Sequence, residues 1–239
     1  MKNLHKKQLR LSRWGFWLVC ALLVCLRLAL TSFQQAYTWV GGAPLDDELM
    51  FRAAQNITAG EWLGAYDYLT LSKAMFFPVW LALLHALHLP YLVAGAALWC
   101  GAALLAAFAF STLWRKKQPE QGRVLTLALF AALAFLPSSW AAYTLRVYRD
   151  NIFPALCLYF FAGMAGMALR AVFEKDKPLW PWLAAAGAGL ACGYLDREDA
   201  GLFLLPFAAA ATVIVALVLV GKRRWKALAA QVIPYAMLG

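Results

Sequence analysis

Apolar runs over residues 14–32, 74–89, 91–114, 124–143, 152–172, 180–194 and 202–220 punctuate the chain. The first, Trp14 to Ser32, holds 19 residues. At about 1.5 Å of rise per residue that is enough to cross a hydrocarbon core of about 30 Å. The repetition of such runs predicts an all-α fold, a polytopic membrane helix bundle.

Residues 33–73, the first loop, carry a different pattern. Leu49, Met50, Ala53, Ala54 and Ile57 fall on one face of a helical wheel, which predicts an amphipathic helix lying at the membrane surface. Pro44 suits its first turn and Gly60 its stop. Trp62, Tyr66 and Tyr68 add interfacial aromatics. The run 74–89 is short, is entered through Pro78, and is separated from 91–114 by His88-Leu89-Pro90. Either both runs cross, or one is tilted or re-entrant; the second arrangement keeps every basic cluster on one side.

Composition agrees with a membrane chain. Hydrophobic residues make up 64% of the 239 and charged residues 14%, against about a quarter charged in soluble domains. The net charge of +10 does not point to nucleic acid, because 16 of the 22 basic residues sit in four clusters, at 1–13, 115–123, 170–177 and 222–226. Short basic loops resist translocation. The expected topology places these clusters and the N-terminus in the cytoplasm, with the protein in a bacterial inner membrane and the bilayer as its first partner. Nine of the twelve acids then fall on the outer side. Cys20, Cys25, Cys100, Cys157 and Cys192 all lie in apolar runs without a CxxC pair and read as small buried hydrophobes. His85 and His88 read as packing residues. The domain reading is a basic cytoplasmic N-terminus (1–13), a bundle over 14–226, and the start of a further, truncated span at 227–239, which makes the chain look like the N-terminal portion of something longer.

Charges within such a chain are the candidate chemistry. Asp46-Asp47-Glu48 follows Pro44, at the positive end of the expected helix dipole. Adjacent helical residues point about 100° apart, so the three acids cannot all face one substrate. Arg146-Val147-Tyr148-Arg149-Asp150-Asn151 and Asp196-Arg197-Glu198-Asp199 emerge on the same expected side. Arg27 lies inside the outer half of the first span, where it either snorkels to the headgroups or meets a lipid phosphate.

A basic N-terminus, one helix, a loop opening with paired acids, an interfacial helix, then Lys73-Ala74-Met75-Phe76-Phe77-Pro78 and further charged outer loops: this order resembles the GT-C glycosyltransferases, the protein mannosyltransferase-like superfamily. Asp46-Asp47-Glu48 is similar to the first-loop acidic motif of that family, and the Lys73 to Pro78 stretch matches its Lys-x-Pro-x-x-Pro entry in part. The resemblance implies transfer of a hexosyl or pentosyl group from a polyprenyl-phosphate-linked donor to an acceptor on the extracytoplasmic face. It implies Asp46 and Asp47 as catalytic acids, one of them the general base. Glu48, Lys73, Arg146, Arg149, Asp150, Arg197 and Glu198 are then the expected substrate-binding set. Oxygen ligands at Asp46 and Asp47 would suit a divalent cation, Mg²⁺ or Mn²⁺, although some members of the fold work without one. A transporter or lipid flippase, or a non-catalytic truncated membrane protein, are the alternative readings.

Overall fold

A computed structural model describes residues 11–38, 44–62, 64–70, 72–115, 119–174 and 177–221. Among them the secondary structure is helical, with a single isolated bridge between Tyr37 and Arg146. The α-helices are α1 (Arg13–Ser32), α2 (Pro44–Ala59), α3 (Phe76–Ala86), α4 (Tyr91–Ser111), α5 (Pro119–Ala134), α6 (Ala142–Leu145), α7 (Phe153–Phe173), α8 (Trp180–Asp196) and α9 (Ala200–Gly221). Short 3₁₀ turns at Pro137–Trp140 and Arg149–Asn151 flank α6. The basic cluster at 222–226 and the apolar start at 227–239 lie outside the described residues.

Helices α1, α4 and α7 are each long and apolar enough to cross a membrane, and α5 with the segment 137–145 makes a fourth if that bent pair is one span. The chain is thus a multi-pass membrane protein with an all-α helical bundle. On α1, Leu18, Leu22, Leu26 and Leu30 recur every fourth residue and are exposed, whereas Phe16, Cys20, Arg27 and Thr31 are buried. One face of α1 therefore meets lipid and the other packs on α4 and α5.

The centre of the bundle is α7, which packs along both α4 and α8. Glycines set the distance to α8. A Cβ at Gly163 would lie 2.5 Å from the backbone nitrogen of Ala186, and one at Gly189 would lie 2.5 Å from that of Phe160. Backbones approach this closely only where side chains are absent.

Two interruptions depart from straight spans. The run 124–143 breaks into α5 and the 137–145 segment, bent by 41°. Pro137 has no N–H to offer the carbonyl of Leu133 four residues earlier, and that carbonyl accepts instead from Leu136 N at 3.2 Å and from Trp99 Nε1 at 2.9 Å. Helix α3 has only 11 residues, a rise of about 16 Å, roughly half a hydrocarbon core. It ends where His88 takes φ +52° and Leu89 N donates to Leu84 O at 2.9 Å, a left-handed C-terminal stop. Helix α2 docks on α3, with Met50 and Ala54 buried, so the stripe read from the sequence as a membrane-surface face packs on protein.

The two ends of the bundle differ in charge. At one, Glu174 pairs with Arg115 at 2.7 Å and Lys177 at 3.1 Å, and Arg123 Nε donates to Leu11 O at 2.6 Å. This basic end ties the start of α1 to the α4–α5 and α7–α8 junctions. The acidic loops gather at the opposite rim.

Candidate functional site

Helix α2 begins at Pro44, which puts Asp46 and Asp47 in its first turn. Facing them is the extended segment around Arg146. Tyr37 N donates to Leu145 O at 3.1 Å and Val147 N to Tyr37 O at 2.8 Å. From the first turn of α4, the Tyr91 hydroxyl lies 3.0 Å from the carbonyls of both Arg146 and Tyr148, and it accepts from Tyr148 N at 3.2 Å. These bonds fix the segment so that Arg146 and Tyr148, two residues apart, project to the same side, as extended backbone requires.

Asp47 is 4% exposed and receives both Nε and Nη2 of Arg146. The Arg146 guanidinium lies 4.3 Å from the centre of the Tyr148 ring. The Tyr148 hydroxyl donates to Asp46 Oδ2 at 3.3 Å and accepts from Arg149 Nη2 at 3.0 Å. Asp46 also pairs with Lys73 at 3.1 Å, and 36% of its side chain remains exposed. Of the two acids at the start of α2, Asp46 is the reachable one and Asp47 is sealed beneath it. The hydrogen bonds it donates to Asp47 hold the Arg146 guanidinium above its ordinary value.

Arg149 is 6% exposed. It donates to Glu198 Oε2 at 2.7 Å and to the carbonyl of Asp196 at 3.1 Å. Glu198 in turn accepts from the backbone N–H of Ala74, next to Lys73, at 2.7 Å. Burial works to raise the Glu198 carboxyl, but the bonds from Arg149 and from backbone N–H groups outweigh it and bring the group down to about 2. Arg197 completes the rim by pairing with Asp150 at 3.0 Å and Asp199 at 3.1 Å.

Lys73, Asp46, Asp47, Arg146, Arg149 and Glu198 therefore form one connected cluster, with Asp150 and Arg197 paired beside it. Glu48 does not join. It pairs with Arg52 one turn on, both side chains being more than half exposed. Among the described residues, no three His, Cys, Asp or Glu side chains gather as a metal-binding set. Asp46 and Asp47 each hold a cationic side chain, so this donor set does not fit Mg²⁺ or Mn²⁺.

Three participants lie outside the set of expected site residues. Tyr148 is visible in the sequence only as a phenol between two arginines. Tyr91 carries no local signal, because it acts from a different helix. Asp196 opens the charged loop in the sequence but is fully buried, and neither carboxyl oxygen has a hydrogen-bond partner. Burial pushes its carboxyl up to about 8, against the pull of Arg149 and Arg197.

A cavity of about 270 Å³ opens between α2 and residues 65–78, lined by Met50, Arg52, Asn56, Asp67, Thr70 and Lys73 among others. A groove of about 500 Å³, lined largely by Phe51, Ala54, Leu81 and Ala82, runs between α2 and α3. Together these features define a multi-pass membrane bundle with a charged, pocketed site at one rim. Set beside protein-family models, curated proteins and solved structures, the chain matches none.

Proposed function

We propose that the chain is a membrane glycosyltransferase of the GT-C type, moving a sugar from a polyprenyl-phosphate-linked donor to an acceptor on the extracytoplasmic face of a bacterial inner membrane. The observation that carries the proposal is an accessible carboxylate, Asp46, held against Lys73, which lines the 270 Å³ cavity. An attacking acceptor hydroxyl must lose its proton, and a carboxylate within hydrogen-bond reach can take it. As the new bond to the anomeric carbon forms, the bond from that carbon to the phosphate oxygen breaks. The phosphate leaves with the electron pair, and a nearby cation stabilises the charge that develops.

In this assignment Asp46 is the general base and Lys73 the first phosphate contact. Asp47 holds Arg146 in place, and Arg149 positions the Asp46 side through Tyr148 and Glu198. The apolar groove between α2 and α3 suits the lipid chain of the donor. The gathering of charges at one rim fits a reaction at the membrane surface better than transport, whose polar groups belong near the midplane. The basic end faces the cytoplasm by the positive-inside rule.

The test is transfer from a panel of labelled polyprenyl-phosphate-linked hexoses and pentoses in membrane vesicles. Asp46→Asn is expected to lower kcat by roughly 10²–10⁴-fold, the usual contribution of a positioned base. Unchanged transfer in both Asp46→Asn and Asp47→Asn would overturn the proposal.

A further inference from the structure

Arg27 lies about a turn and a half before the end of α1, yet it neither snorkels outward nor meets an acid. It is 2% exposed. Its guanidinium lies 3.6 Å from the centre of the Trp140 ring, and Nη2 donates to the carbonyl of Ser139 at 2.9 Å and to Ser139 Oγ at 3.3 Å. Nε and Nη1 are buried without an acceptor. Among the described residues no carboxylate stands within ion-pair distance of Arg27. A buried guanidinium without a counter-charge is strongly disfavoured, so an anion beside it would be favoured.

Arg27 lines a cavity of about 40 Å³ between α1, α4 and the 138–154 segment, with Thr31, Gln34, Gly95, Trp99 and Tyr143 also in its wall. Such a space holds about three waters by the usual minimum per water, which is roughly the bulk of a phosphate group. Four of the hydroxyls around it donate to backbone carbonyls: Thr31 to Arg27 O, Ser139 to Leu136 O, Tyr143 to Ser138 O and Thr144 to Ala141 O. The guanidinium, with Nε and Nη1 unbonded, is the one cation in the wall. Trp140 and Tyr143 belong to the segment that leads to the charged rim, and aromatics of this kind favour headgroup depth.

The cavity is also separate from the acidic site. Thr144, Leu145 and Asn151 line it, whereas Arg146, Tyr148 and Arg149 engage Asp46, Asp47 and Glu198. The one segment 144–151 thus serves two sites.

We infer that the Arg27 cavity binds a phosphate oxyanion, carried either by a phospholipid headgroup or by free phosphate. The inference does not depend on glycosyl transfer. It is tested on the purified full chain in an uncharged detergent, by thermal unfolding at constant ionic strength. The probes are inorganic phosphate, short-chain phosphatidic acid, and the matching diacylglycerol without phosphate. A saturable rise in Tm with phosphatidic acid alone supports the inference and assigns the lipid source. A rise with inorganic phosphate supports it and assigns the free ion. Either rise is expected to vanish in Arg27→Gln and to persist in Lys177→Gln, a charge loss at the opposite end of the bundle. Should Arg27→Gln not fold, Arg27→Lys keeps the charge but loses the planar fork, and about tenfold weaker binding is expected. No saturable rise in the wild type, an equal rise in Arg27→Gln, or unchanged affinity in Arg27→Lys would overturn it.

Discussion

At the scale of single residues, Tyr148 turns separate charges into a network, because its one hydroxyl accepts from Arg149 and donates to Asp46. The carboxyls around it respond to their surroundings in opposite ways. Asp196, buried without a partner, is pushed up to about 8, and Glu198, bonded to Arg149 and backbone, is brought down to about 2. For Asp196 the folded state binds a proton that the unfolded state has released above its ordinary value near 3.8. Stability from that proton is fully present below about pH 4 and falls as pH rises toward 8. For Glu198 the sign reverses, and stability is lost as pH falls from about 4.5 toward 2. The expected outcome is that Asp196→Asn, which cannot ionise, flattens the decline in thermal midpoint between pH 5 and 8 in detergent. An unchanged slope would show that Asp196 is not the group responsible. The sequence makes these acids conspicuous because charges are rare in an apolar chain. It does not tell the reachable Asp46 from the sealed Asp47, since adjacent helical positions differ only in what packs over them.

At the scale of elements, the positions of α1, α2, α4 and α7 were readable from apolar length and from Pro44 and Gly60. The break after α5 was not, although Pro137 stands in plain view. Proline removes one hydrogen bond, but whether a span kinks or stops depends on who takes the freed carbonyl, and here Leu136 N and Trp99 from α4 share it. The α7–α8 pairing is likewise a tertiary fact: glycines are common in membrane helices, and only the 2.5 Å clearances at Gly163 and Gly189 mark these two as the crossing point. Gly189→Leu is expected to push α8 away from α7 and to cost about 1–3 kcal/mol by overpacking. Denaturant unfolding in detergent measures the loss, and a wild-type midpoint would show that α7 and α8 do not approach this closely. Because α8 leads directly to Asp196 and Glu198, the same variant should also disturb the rim.

For the whole molecule, the two ends differ in charge and are joined by helices long enough to span. A single cysteine replacing Tyr68, which is 91% exposed, is expected to react with an impermeant maleimide in intact cells lacking the native cysteines. One replacing Lys177 at the basic end should react only after permeabilisation. Labelling of both from one side would contradict the two-ended arrangement. The sequence by itself determined the membrane environment and the helical class, because burying that many apolar residues in a solvent without hydrogen bonds leaves the backbone few other choices. It also determined which loops carry charge. Only the tertiary structure decided which charges meet. Asp47 with Arg146, Asp46 with Lys73 and Arg149 with Glu198 are separated by tens of residues, and contact between them follows from packing that no local pattern encodes. Arg27 shows the same division: composition marks it as costly, and the fold alone turns it inward to a cavity.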